Sequence, residues 1–190
     1  MFANTWYMRN KALLFLLIIP SSFLSFKTLE KRVFKKSFFN KDLNGVPFII
    51  VDKSDYELLV YDGDGWYATY PVVFGSKDLG DKMMEGDRKT PEDDFKIVAK
   101  RPHEKWGKII MIDYPTKADI EKFKQRKALG LLPAKAKIGG GIGIHGTWDR
   151  DEMAVDYFQN WTNGCVSMKR EEVNELYSIV PIGTRVTIRR

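Results

Sequence analysis

The sequence predicts a mainly β domain with peripheral helices, and three observations carry that expectation. Short, β-branched apolar segments recur between Gly/Asp-rich turns from residue 47 onward. Helical signals, by contrast, are confined to a capped segment near 116–130 and an amphipathic one at 169–180. A last β-branched segment, RVTI at 185–188, follows the turn PIGT. At 190 residues, a single folded domain is the natural division.

In order, PFIIV (47–51) and YELLVY (56–61) read as strands, followed by the turn DGDG (62–65) and by WYATY (66–70) with VVF (72–74). Two strands around a Gly/Asp turn make a hairpin. GSKDLGDKMMEGDRKTP (75–91) is polar and glycine-rich, a loop long enough to expect function of it. FKIV (95–98) and KIIMID (108–113) are two further strands. Thr116 and Asp119 have capping-box spacing, Ile120 and Phe123 share a face, and Gly130 stands where a helix would stop. Val173, Leu176, Tyr177 and Val180 fall at i, i+3, i+4 and i+7. The total is about six strands, mainly antiparallel, with two or three helices and no internal repeat.

Charge separates the chain into parts. Residues 1–41 hold eight Lys or Arg against Glu30 alone, a net of +7, whereas the other 149 residues balance to −1. A neutral domain has no basic footprint for nucleic acid, so no nucleic-acid partner is expected. Within the basic leader, Arg9 and Lys11 precede ALLFLLIIPSSFLSF (12–26), an uncharged run of 15 residues. That is short for a membrane span and at the upper limit for a signal peptide, and no A-x-A-like cleavage site follows. The expectation is a signal peptide or N-terminal membrane anchor at 1–26, a basic linker at 27–45 and a catalytic domain at 46–190. The chain would be exported to the periplasm or cell envelope and tethered to the inner membrane. KTLEKRVFKKS (27–37) is basic enough to lie along an anionic membrane surface, or to be a solvated linker.

GIGIHG (141–146) spells the dinucleotide fingerprint G-x-G-x-x-G, but the context is wrong. It comes late, after hairpin-like strands, and position 166, where a ribose-binding carboxylate is wanted, is Val. The other reading is that the glycines clear space around His145; a bulge or bend without a ligand is the bland one. The chain has two histidines, His103 and His145, and one cysteine, Cys165. Three such residues barely supply a zinc site, while a Cys–His pair needs only one of each. Cys165 follows Gly164 and precedes the amphipathic helix, whose dipole or a nearby imidazolium would favour its thiolate. A lone cysteine is also often a small buried hydrophobe.

His145-Gly-Thr, 14 further residues, then Thr162-Asn-Gly-Cys165 resembles the signature of the L,D-transpeptidase catalytic domain, the YkuD-type family. GDRKTPEDDF (86–95) resembles the family's G-x-x-x-T-P-x-G-x-F loop. Tyr114-Pro115 with a charged helix and Ile138-Gly-Gly resembles the branch with a helix inserted before the histidine, and IGTRVTI (182–188) its last strand. The resemblance spans roughly 46–188 and implies a β-sandwich-like fold. It implies Cys165 as nucleophile and His145 as the base that forms a thiolate–imidazolium pair with it. Gly146 would orient the imidazole through its carbonyl, and backbone N–H groups around Gly164 and Cys165 would be oxyanion donors. Substrate contacts would come from Thr162, Asn163, Ser167 and Trp148, with peptidoglycan stem peptides as partner. No metal or organic cofactor is implied.

Two positions depart from the pattern: Asn163 stands where the family often has His, and Ser167 where it usually has a substrate-binding Arg. Ser167 also reads as a helix N-cap. Arg170 and Arg150 are the candidates to replace the missing charge. Asn160-Trp-Thr162 is a glycosylation sequon by chance, His103 a surface-loop residue, and Trp148 and Trp161 the tryptophans expected to line the groove. The implied reaction is attack of Cys165 on the diaminopimelate carbonyl of a tetrapeptide stem with release of D-alanine, then transfer to an amine in a cross-link or protein attachment. The alternatives are an L,D-carboxypeptidase or amidase of the same fold, a non-catalytic peptidoglycan-binding module, and a general cysteine protease, for which no local signature is present.

Overall fold

A computed structural model describes residues 43–149 and 151–190 together with the backbone of Phe34–Lys35. The expected signal or anchor at 1–26, Arg150 and most of the basic linker lie outside the described residues. Among the described residues no helix is long and apolar enough to cross a membrane.

Among the described residues, nine strands form one sheet. They are β1 (Phe34–Lys35), β2 (Phe48–Asp52), β3 (Glu57–Asp62), β4 (Gly65–Pro71), β5 (Asp93–His103), β6 (Gly107–Ile112), β7 (Gly143–Gly146), β8 (Val166–Met168) and β9 (Arg185–Arg189). Their order is β1-β4-β3-β2-β9-β5-β6-β7-β8. The helices among the described residues are α1 (Lys117–Ala128), α2 (Met153–Asp156) and α3 (Arg170–Ile179). The mainly β reading with peripheral helices holds, and the hairpin around Gly63–Asp64 is the β3–β4 pair.

Alternation decides which way each strand faces. In β2, Ile49 and Val51 are buried, and in β3 Leu58 and Val60, as period-two burial requires. The single strand expected at 95–98 is the start of an 11-residue strand that serves two neighbours. Residues 93–96 pair with β9, and from Ile97 onward the strand pairs with β6 across a register irregularity between Ile97 and Ala99. Such an irregularity bends a strand and re-aims the residues beyond it. The bend turns β6, β7 and β8 over the core, where Tyr70, Phe74, Phe95, Ile144 and Leu176 pack. Val73, expected in a strand, exchanges two 2.8 Å backbone hydrogen bonds with Ser167 of β8. The far end of the sheet is thereby joined back to the continuation of β4.

Two pairings are parallel, β2 with β9 and β7 with β8. Spacing along the chain could not show this, because parallel partners are far apart in sequence. In α1 the capping box is present: Thr116 Oγ1 accepts from Asp119 N and Asp119 Oδ2 from Thr116 N. Gly130 takes the left-handed conformation, φ 70°, that stops the helix. The apolar face expected on α1 does not hold it, since Ile120 is exposed and Asp119 is its buried residue. Charged side chains do that instead. Arg126 donates to Asp81 Oδ2 at 2.7 Å and to Lys82 O at 2.8 Å, and Lys122 reaches Asp93 at 3.2 Å. The inserted helix thus clamps the long loop at 75–91. In α3, Val173, Leu176 and Val180 beyond its end are buried as the spacing predicted.

Candidate active site

Parallel pairing of β7 and β8 aligns His145 with Ser167 and Ile144 with Val166. Paired residues point to the same face, and so do residues two apart on one strand. One step back in this register, Cys165 lies opposite Gly143. Its side chain therefore emerges on the same face as that of His145. Gly141 and Gly143 leave that face without side chains, and Cys165 Sγ lies 3.6 Å from Gly141 O. Gly143 is also required from below, because a Cβ there would stand 2.6 Å from Ile110 O of β6. The glycines of GIGIHG serve a strand packed tightly on its neighbour and open above.

His145 is 1% exposed. Its Nδ1 lies 2.8 Å from Gly146 O, the orienting contact expected of Gly146. With Nδ1–H donating to that carbonyl, Nε2 carries the free lone pair. The ring lies flat on Trp106, centroids 4.2 Å apart, and edge-on to Trp161 at 5.4 Å. Burial holds the imidazole well below its ordinary value, at about 4; the Gly146 carbonyl raises it in part, and His103 lowers it further. Burial likewise pushes the half-buried Cys165 thiol up, partly offset by the Gly143 backbone and the Lys82 ammonium. Both shifts favour the uncharged thiol and imidazole. The thiolate–imidazolium pair that the resemblance implies is the charged state against which both shifts act.

Helix α3 does not supply its dipole to Cys165, because β8 intervenes and the helix begins at Arg170. Ser167 accordingly is not its N-cap; it is a strand residue, 0% exposed, and Lys169 occupies the cap position. The loop before Cys165 is stapled by Thr162, whose Oγ1 donates to Cys165 O at 2.7 Å and accepts from Gly164 N at 3.1 Å. Gly164 N–H, expected as an oxyanion donor, is therefore engaged by Thr162 Oγ1. Gly164 has φ 122°, a conformation open to glycine, and sits 2.7 Å from Lys89 O as measured from a Cβ position. Asn163 is exposed. Trp148 is 42% exposed and 6.0 Å from Trp161, which itself lies edge-on to His145.

The structure also brings in residues that the sequence did not single out. Trp106 covers His145, and His103 is no free loop residue: it ends β5 and stacks on the far side of Trp106 at 4.1 Å. Arg170 does not face the groove, because its Nη1 donates to Lys105 O at 2.8 Å and Thr147 O at 3.3 Å, fixing the Trp106 turn. Asn160 of the sequon has both ends of its amide engaged, accepting from Phe74 N at 2.8 Å and donating to Ser76 O at 2.7 Å. The buried Lys82 ammonium, bonded to Asp87 at 2.8 Å, lies behind Gly164. No single-residue signal marked these, because each is defined by a partner distant in sequence. Among the described residues no group of three or more His, Cys, Asp or Glu is arranged to hold a metal ion.

The loops on either side of the cysteine meet at Gly75. A Cβ there would lie 2.4 Å from both Arg88 O and Thr162 O. Gly75→Ala is expected to destabilise the chain by ~2 kcal/mol, lowering Tm by roughly 4–8 °C in thermal unfolding. An unchanged Tm would show that the two loops part freely.

Comparison with known proteins agrees with this geometry. The family described as the L,D-transpeptidase catalytic domain, YkuD, matches residues 47–188. A Bacillus subtilis (strain 168) protein provisionally named L,D-transpeptidase YqjB is 31% identical over 150 residues, 77% of this chain and 73% of that one. Among solved structures, the helical cell shape determining protein Pgp2 from Campylobacter jejuni is similar at TM-score 0.55 and 22% identity, over 77% of this chain and 48% of that one. L,D-transpeptidase 3 from Mycobacterium tuberculosis, bound to a faropenem-derived adduct, is similar at TM-score 0.51 and 13% identity, over 76% of this chain and 60% of that one. The chain spans about half the length of Pgp2.

Proposed function

The chain belongs to the L,D-transpeptidase catalytic domain (YkuD) family, whose members act on peptidoglycan stem peptides, and from that premise we propose that it is a cysteine-dependent acyltransferase of the cell envelope. The observation that carries this reading is the shared face of Cys165 and His145 on two parallel strands, with Nδ1 of His145 held by Gly146 O.

The steps follow from the groups present. A stem peptide enters over Gly141 and Gly143 and excludes water from the thiol. Nε2 of His145 takes the thiol proton as Cys165 Sγ attacks the diaminopimelate carbonyl carbon, so a C–S bond forms and the carbonyl π pair moves to oxygen. Cys165 N–H faces that oxygen. Collapse breaks the C–N bond, and the imidazolium gives its proton to the departing D-alanine amine. A thioester remains. An acceptor amine then attacks it, loses a proton to His145, and the C–S bond breaks to return the thiol. Charge separation between Cys165 and His145 is thus transient, and both buried groups begin and end neutral. Export places the domain at the periplasm or cell envelope, with the basic N-terminal segment at the membrane surface.

The test is mass spectrometry of products from the full chain incubated with purified disaccharide-tetrapeptide. The expected result is release of D-alanine with formation of dimers. Release without dimers would make the acceptor water and the protein an L,D-carboxypeptidase. Intact substrate, beside an active family member as positive control, would overturn the reading.

A further inference from the structure

We propose that Arg88, on the loop at 75–91, is the residue that recognises the terminal carboxylate of the stem peptide, in place of the arginine absent at position 167. This rests on the transpeptidase reading of the site. The carboxylate chemistry arises from the substrate itself: the bond attacked lies next to a D-amino acid whose α-carboxylate is free, and an ionised group in a partly closed groove requires a charged partner.

The position that the resemblance assigns to that partner is closed. Ser167 lies on the face of Cys165 and His145, but it is uncharged, 0% exposed and bonded through both backbone groups to Val73, so it brings no cation to the groove. Arg170 is engaged with Lys105 O and Thr147 O. Arg88 remains. It is exposed, and its Nε donates to Thr162 O at 3.2 Å, within the same loop that ends in Cys165. Among the described residues its two terminal nitrogens have no other partner, which leaves the end of the guanidinium fork available beside the nucleophile loop. That arrangement suits a carboxylate, which accepts from a planar fork.

The backbone supports the assignment independently. Arg88 has φ 60°, a conformation that a non-glycine residue holds only where its surroundings impose it. Here those surroundings are tight. A Cβ on Gly75 would be 2.4 Å from Arg88 O, and Asp87 next to it accepts from Met83 N, Met84 N and Lys89 N while pairing with Lys82. Arg126 of α1 in turn fixes Lys82 O. The inserted helix, the Asp87 nest and Gly75 together hold Arg88 at the rim. Lys89, its neighbour, is paired with Asp78 and is not a competing cation for the substrate.

Binding separates this proposal from the catalytic one. In the full chain carrying Cys165→Ala, the affinity of three tetrapeptides is measured by tryptophan fluorescence: free acid, C-terminal amide of D-alanine, and amide on the diaminopimelate side-chain carboxylate. The free acid is expected to bind on the order of 10–100-fold tighter than the C-terminal amide. Adding Arg88→Gln is expected to erase that ratio, with Arg88→Lys restoring part of it. If the ratio vanishes only for the diaminopimelate amide, Arg88 reads the other carboxylate and the assignment to the terminal one is overturned. A ratio unchanged by Arg88→Gln, or absent from the start, overturns it as well. Binding with the expected ratio but no turnover by the unsubstituted chain would instead count against the acyltransferase reading alone.

Discussion

Cys165→Ala is expected to bring release of D-alanine to background, a loss on the order of 10⁴–10⁶-fold, while Tm moves by no more than about 4 °C. The side chain is half-buried and its thiol contacts Gly141 O, so removing it leaves the strand pairing untouched. His145→Gln is expected to lose on the order of 10²–10⁴-fold, since a general base contributes about that much. Alanine is the poorer choice there, because it would empty the space between Trp106 and Trp161 and confuse lost packing with lost chemistry. The same pair of variants decides a second readout. A carbapenem should add its mass to Cys165 in the unsubstituted chain, slowly or not at all in His145→Gln, and never in Cys165→Ala. If the unsubstituted chain binds stem peptide without releasing D-alanine or taking up the β-lactam, the domain is a binding module on this fold. Release that survives Cys165→Ala would remove the nucleophile assignment itself.

How much of this was legible in the sequence depends on the distance between partners. The hairpin, the α1 capping box and the buried stripe of α3 were readable because each is set by residues within a few positions of one another. The two parallel pairings were not, and one of them places Cys165 beside His145. The order His145-Gly-Thr and Thr-Asn-Gly-Cys165 announced a pair; only β7 and β8 side by side put both on one face. Ser167 shows the opposite failure. Serine ahead of an amphipathic helix is a reasonable N-cap, but the chain first completes a strand bonded to Val73, and the helix starts later. His103 looked like a charged surface-loop residue, and Trp106 carried no signal of its own. Their role follows from the way β5 and β6 carry that turn over Gly146, whose Cβ would lie 2.4 Å from Trp106 O.

Stability against pH carries the second large effect, and it is hidden until one residue is changed. His145 is held at about 4 in the fold against 6.5 in the unfolded chain, chiefly by burial. Between those values the unfolded chain binds a proton that the folded one refuses, so stability falls as pH drops from 6.5 to 4. Glu172 has the opposite sign. Burial raises it from 4.5 to about 7, against the pull of Lys169 and with Glu171 and Glu152 nearby raising it further. The folded chain therefore holds a proton that the unfolded one releases, and the associated stability is present below 4.5 and lost as pH rises through 7. Its geometry agrees: Glu172 is 4% exposed, Oε2 accepts from Lys169 N at 3.2 Å, and Oε1 has no hydrogen-bond partner among the described residues. Each gap is worth on the order of 3 kcal/mol, in opposite directions over nearly the same interval. Asp87 and Asp93, both depressed below 3.8, act below this window. Urea unfolding of the unsubstituted chain should thus give nearly constant stability from pH 6.5 to 4.5. Glu172→Gln keeps the acceptor for Lys169 N but cannot titrate, so it should unmask the His145 slope, a loss of about 2 kcal/mol over that interval. His145→Gln should show the reverse, gaining stability as pH falls. A flat profile in Glu172→Gln would mean that His145 is protonated in the folded chain well above pH 4, and a slope already present in the unsubstituted chain would mean that Glu172 is ionised there.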